Sequence, residues 1–89
     1  PILSDTLVLQ PEDAKAGCIN LCRQVIAQRD LSSGPCLSDE VVADWVCDVV
    51  HNPRTATDND PANQCQAYRE GRARHFVEVD TNCNLIRAV

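Results

Sequence analysis

The sequence predicts a small α+β domain: two main helices packed on a small antiparallel sheet with a C-terminal β-hairpin, stapled by disulfides. Three observations carry this prediction. Six cysteines fall in 89 residues, an even count that reads as a disulfide framework in so short a chain. Two segments, 11–29 and 38–52, carry apolar residues in helical patterns. Two runs near the C-terminus, "RHFVEVD" (74–80) and "NLIRAV" (84–89), read as strands around the turn-forming "DTNCN".

The whole of 1–89 makes one domain. A chain of this length buries only roughly 60–65% of its unfolded surface, so its core is marginal. That core is aliphatic, with one Trp, one Tyr, one Phe and no Met. Covalent staples are therefore expected, and with them an oxidising, extracellular location. The opening "PILSDTLVLQ" has neither a basic n-region nor a long apolar stretch. The expectation is a mature secreted chain whose leader has been removed. Pro1 fits a signal-peptidase cut poorly, which keeps a cytosolic product as the alternative. No apolar run approaches the roughly 18 residues of a membrane span. The net charge of −5, with nine Asp against seven Arg and one Lys, argues against general nucleic-acid binding, which works by neutralising phosphates.

In chain order, "LVLQ" (7–10) reads as a short strand. Pro11 then suits the first turn of a helix, where its missing N–H is not needed, and Glu12 and Asp13 favour a positive helix end. Helix A is expected from Pro11 to Arg29, with Ala14, Cys18, Leu21, Cys22, Val25 and Ile26 on one apolar face. "DLSSGPC" (30–36) breaks it. Ser38 is a good N-cap for helix B, followed by Asp39 and Glu40. "VVADWVCDVVHN" (41–52) is apolar around most of a helical wheel, which places helix B centrally, with Trp45 facing one layer and Cys47 another. Its five valines leave a buried strand as the alternative. Asp60–Pro61 caps a short helix, 61–70, that Gly71 ends.

The cysteines Cys18, Cys22, Cys36, Cys47, Cys65 and Cys83 lack the paired C-x2-C spacing of zinc knuckles and redox motifs. Cys18 and Cys22 share a helix face, but Cβ atoms at i and i+4 stand about 5–6 Å apart. A disulfide needs about 3.5–4.5 Å. Each is therefore expected to reach a different partner. A helical hairpin around Ser33 and Gly34 favours Cys22 with Cys47. No metal and no cofactor is expected.

For function, "YREGRARH" (68–75) is the one basic cluster in an acidic chain. Arg69, Arg72, Arg74 and His75 are the candidate binding residues, for a protein partner or an anionic ligand, because guanidinium forks match carboxylate and phosphate. The competing explanation, which weighs more, is that these arginines pair with Asp39, Glu40, Asp44 or Asp48 across the fold. "TDNDPAN" (57–63) has calcium-type oxygens in Asp58, Asn59, Asp60 and Asn63, but without the EF-hand order, and Asx turns explain it better. His75 and Glu78 are possible acid–base parts, yet strand alternation sends them to opposite faces. The preferred reading is a small secreted cysteine-rich binding protein of the effector, toxin or inhibitor type, acting through a rigid protein-interaction surface. The alternatives are a cytosolic metal-binding or thiol-redox module using Cys18, Cys22, Cys47 and His51, and a small secreted ribonuclease-like hydrolase. A monomer or a homodimer is expected, with Val42, Val46 and Val50 as a dimer contact.

Overall fold

The computed structural model describes the backbone of residues 2–89 and the side chains of residues 11–89. Its elements are α1 (Ile2–Ile26), β1 (Cys36–Val42), β2 (Trp45–Val49), α2 (Gln66–Arg69), β3 (His75–Val79) and β4 (Leu85–Ala88), with two single 3-10 turns at Ala56–Asn59 and Pro61–Asn63. The strands form one sheet in the order β1-β2-β3-β4. β1–β2 and β3–β4 are antiparallel hairpins, and β2–β3 is a parallel pair joined by the long 50–74 crossover. The α+β class and the C-terminal hairpin follow the expectation. The wholly antiparallel sheet and the second main helix do not.

The largest correction falls on 38–52. Helix B is a β-hairpin, β1–β2. A central strand covered on both sides is apolar all round, and so is a buried helix, so the pattern could not separate them. Valine's restricted side chain favours the strand. Trp45, Cys47 and Val49 all face α1, whereas Val46 joins a second cluster with Cys65, Ala67 and Ala73 on the other side. Trp45 and Cys47 thus share a layer, contrary to the helical expectation. Ser38 caps no helix; its Oγ accepts the Glu40 N–H within β1. The hairpin turns through Ala43 and Asp44, with Asp44 at φ 73°, a left-handed conformation that Asp tolerates. Val46 and Val50 are buried and Val42 is half-buried within the single chain.

α1 also differs at both ends. Residues 7–10 are helical rather than a strand, and Pro11 lies inside the helix instead of opening it. Pro11 lacks the N–H that an interior position donates to the carbonyl four residues back. An apolar run as short as 7–10 carries no period by which to tell helix from strand. The helix stops at Ile26 rather than Arg29, and Gln28 and Arg29 N–H both bond to the Val25 carbonyl. The inward face is narrower than expected: Ala14, Cys18 and Cys22 are fully buried, Leu21 and Val25 partly, and Ile26 is 41% exposed. Gly17 gives β1 room, because a Cβ there would stand 3.2 Å from Val41 Cγ2. The expected helix at 61–70 is a 3-10 turn followed by the single turn of α2, and Gly71 ends it at φ 78°.

The disulfides are Cys18–Cys47, Cys22–Cys83 and Cys36–Cys65. Cys18 and Cys22 do reach different partners, as helix geometry requires. The Cys22–Cys47 pairing was wrong because it assumed a helical hairpin. With β2 in the sheet centre, Cys47 lies under Cys18, and Cys22 reaches one turn further to Cys83 in the β3–β4 turn. Asp80 organises that turn, accepting the N–H groups of Asn82 and Asn84 at 2.8 and 2.9 Å.

The loops at 27–35 and 50–60 are locked by His51 and Asp58. His51 sits after β2 rather than at a helix C-terminus. Its Nδ1 lies 2.9 Å from Asp58 Oδ1 and its Nε2 2.8 Å from the Ser32 carbonyl oxygen. Both partners accept, so the ring donates from both nitrogens as an imidazolium. The Asp58 carboxylate and then the Ser32 carbonyl hold its pKa above the ordinary 6.5. Asp58 also takes the backbone N–H groups of His51 and Thr55. This is the internal turn role expected of "TDNDPAN", and Asp60 likewise caps the turn at Pro61 through the Ala62 N–H.

Two outcomes follow for stability. Cys22 and Cys83 enclose 61 residues, and the other two pairs 29 each. Replacing Cys22 and Cys83 together by Ala costs roughly 4 kcal/mol, and replacing Cys36 and Cys65 about half a kcal/mol less, measured by urea unfolding. Gly34 has φ +70°, and a Cβ there would meet Asp58 Oδ1 at 2.8 Å and the Val49 carbonyl at 3.1 Å. Gly34→Ala therefore lowers stability by about 2–4 kcal/mol, and a melting temperature within a degree of the parent protein contradicts this account.

Candidate functional site

The four basic residues singled out from the sequence do not converge. Arg74 leaves the sheet end and bonds Asp44 through both its backbone N–H (2.8 Å) and its Nε (2.9 Å). His75 stacks on Trp45 with ring centroids 4.6 Å apart, and its Nε2 is 3.7 Å from the same Asp44 carboxylate. Arg72 bonds Glu70 at 2.8 Å. Arg69 alone faces a concave site, and its side chain forms no hydrogen bond or ion pair with the described residues.

That site lies on the sheet face opposite α1. Alternation places Val46 and Asp48 of β2, Phe76 and Glu78 of β3, and Arg87 of β4 on this face. The parallel register sets Val46 beside Phe76 and Asp48 beside Glu78, and the antiparallel register sets Glu78 beside Arg87. The crossover supplies the rim through Arg54, Gln64, Cys65, Tyr68 and Arg69, enclosing a cleft of about 450 Å³. The Cys36–Cys65 disulfide ties this rim to β1, and Asp39 Oδ1 accepts the Ala67 N–H at 2.9 Å beside it.

Glu78, only 8% exposed at its side chain, is clamped between two arginines. Arg54 Nη1 is 3.1 Å from Oε2, and Arg87 Nε is 2.7 Å from Oε1. All three nitrogens of Arg54 are engaged, since its Nε donates to Asn59 Oδ1 and its Nη2 to the Asp58 carbonyl. Arg87 spends only Nε this way, leaving its terminal nitrogens without a partner among the described residues. Its guanidinium lies 5.1 Å from the Phe76 ring centre, a cation–π contact, and Phe76 meets Tyr68 edge-on at 5.1 Å.

Asp48 is the anomaly. Its Oδ1 is buried and accepts no hydrogen bond from the described residues. Burial, and then the neighbouring charge of Glu78, push its pKa up to about 8, with Arg54 opposing. At neutral pH Asp48 therefore keeps its proton for the most part. The cleft then carries three guanidiniums against the single carboxylate of Glu78. The lining is thus predominantly basic, inside a protein whose net charge is −5, with the Glu70 carboxylate acting on Arg69 from outside it.

Sequence reasoning reached Arg69 here and missed Arg54, Asp48 and Arg87. The usable signal was an acidic residue in the middle of each of two apolar strands, "WVCDV" and "HFVEV". Such a residue needs a partner or a proton. His75 and Glu78 do lie on opposite sheet faces, as alternation requires. The sulfurs of Cys36 and Cys65 cluster with a carboxylate oxygen of Asp39, but they are bonded to each other and offer no thiolate. Cys18, Cys22 and Cys47 are likewise in disulfides, and both ring nitrogens of His51 are engaged.

A pH experiment isolates Asp48. Its folded pKa is raised, so the folded state holds a proton that the unfolded chain releases near pH 4. Its contribution to stability is complete below that pH and declines as pH rises toward about 8. Asp48→Asn keeps the shape and removes the titration. The variant should gain stability relative to the parent between pH 5 and roughly pH 8, the difference growing with pH. Parallel melting-temperature profiles for the two proteins contradict a protonated Asp48. No family model matches the chain, and no curated protein or solved structure matches it either, so this cleft is read from its own geometry.

Proposed function

We propose that this is a secreted, disulfide-locked binding protein of the effector or inhibitor type, and that it recognises an anionic group with the cleft opposite α1. The supporting observation is the pair Arg69 and Arg87. Both line one cleft, both keep guanidinium N–H groups without partners among the described residues, and both adjoin an apolar wall of Phe76, Tyr68 and Val46. Guanidinium forks beside an aromatic surface are the chemistry of carboxylate and phosphate recognition. The three disulfides in a small chain support an extracellular location. They also keep the cleft preordered, so that little entropy is lost when a ligand enters. Relative to the cluster read from the sequence, Arg69 stays in the binding set and Arg87 joins it. Arg72, Arg74 and His75 serve local pairs.

Sulfate is the test ligand. Added to the labelled protein at constant ionic strength against chloride, it should shift the NMR signals of Arg69 Nε, Arg87 Nε and the Tyr68 ring, and leave those of Arg72 and Arg74 in place. Arg69→Ala, at an exposed position without ion pairs, should weaken the response roughly tenfold with an unchanged melting temperature. Equal shifts at all arginines, or none at the cleft, overturn the proposal.

A further inference from the structure

The cleft is more specific than an anion site needs to be. We infer that its ligand is a nucleoside monophosphate, with the phosphate on Arg69 and Arg87, the base against Tyr68 and the base edge met by Gln64 and Asp48. This rests on the reading of the cleft as an anion site.

Four observations carry the assignment. First, Arg69 and Arg87 line one cleft with guanidinium N–H groups to spare among the described residues, and two such forks suit the three oxygens of a phosphate monoester, which holds about −1.5 to −2 at neutral pH. Second, Tyr68 lines the cleft, is 43% exposed and meets the Phe76 ring edge-on. Its open surface can stack on a planar group, and every nucleobase presents one. Third, Gln64 and the protonated Asp48 line the same cleft, and each can both donate and accept a hydrogen bond. The edge of a base asks for that alternation, and an aliphatic phosphate ester leaves it unused. Fourth, the cleft of about 450 Å³ falls within the roughly 300–1,000 Å³ of small-molecule sites and admits a mononucleotide.

The same chemistry has two sources, a free mononucleotide or the terminal phosphate of a nucleic-acid strand. The acidic chain outside the cleft repels a long phosphate backbone, so the cleft is expected to see one nucleotide in either case.

Calorimetry with the intact oxidised protein at pH 7.5 tests this. The probes are AMP, GMP, adenosine, inorganic phosphate, benzoate, and a short RNA with and without a 5′-phosphate. At least one of the two mononucleotides should bind ten times or more tighter than inorganic phosphate, adenosine or benzoate. Arg69→Ala and Tyr68→Ala should each weaken it five- to tenfold, and Arg72→Ala should leave it unchanged. Phosphorylated RNA binding as tightly as the mononucleotide, with the dephosphorylated strand failing, assigns the strand end as the source; phosphorylated RNA failing assigns the free nucleotide. If inorganic phosphate or benzoate binds at the cleft as tightly as either mononucleotide, the nucleotide assignment falls and the anion site stands. If no anion binds and sulfate leaves the cleft signals unmoved, both fall together.

Discussion

Two disulfides leaving α1 one helical turn apart set everything else in place. A single tether would position the helix but let it roll on the sheet. Cys18–Cys47 fixes it to the central strand β2, and Cys22–Cys83 fixes it to the β3–β4 turn. Together they define both position and rotation. Among the described side chains of α1, only Ala14, Cys18 and Cys22 are fully buried, with Ile19, Leu21 and Val25 packed beside them. Hydrophobic burial from an alanine and two cysteines is modest on the scale of a large aliphatic side chain. Covalent bonds do the holding that leucines and phenylalanines do in larger cores.

Because α1 covers only one side, the other side of the sheet is left to the crossover between β2 and β3. That segment has little regular structure: two 3-10 turns and one turn of helix. It is ordered by polar pairing and by the third disulfide instead. Asp58 gathers the N–H groups of His51 and Thr55 and the His51 ring, while Cys65 is bonded to Cys36. A cover built this way does not fill the sheet face as a helix would. The cleft is the remaining space, and the strand residues that alternate into it are Asp48, Glu78 and Arg87 beside the apolar Val46 and Phe76.

How far the sequence could be read depended on which signals were local. The C-terminal hairpin was legible because "HFVEVD" and "NLIRAV" alternate and "DTNCN" has turn chemistry. The separate destinies of Cys18 and Cys22 were legible because helix geometry alone forbids their bond. "VVADWVCDVV" was misread because its apolar character is non-periodic. It became β1–β2 only through contacts distant in sequence, with Cys18, Cys65 and the parallel register to β3. The cleft suffered from the same non-local dependence. Arg54, Asp48 and Arg87 are separated in the chain and meet only through the sheet order. The conspicuous "YREGRARH" dispersed because its arginines leave the backbone in different directions.

The buried pair on neighbouring strands bears on why the cleft has this composition. Two carboxyls in adjacent register positions cannot both ionise in a low-dielectric setting without large cost. The fold gives Glu78 two guanidiniums and leaves Asp48 with none bonded to it, so the pair separates into one carboxylate and one acid. An apolar residue at position 48 would satisfy the sheet more simply, since half-buried strand positions ordinarily favour β-branched side chains. Buried polar groups left without partners are costly, and they concentrate where a ligand completes them. Asp48 Oδ1 is such a group among the described residues, as is Trp45 Nε1 on the α1 side of the sheet. The lining around Asp48 also carries the guanidiniums of Arg54, Arg69 and Arg87. In a chain of net charge −5, distant anions are repelled and the attraction acts only at contact range. Such a field disfavours extended polyanions, and on the proposed reading of the cleft a compact anion is the ligand it opposes least.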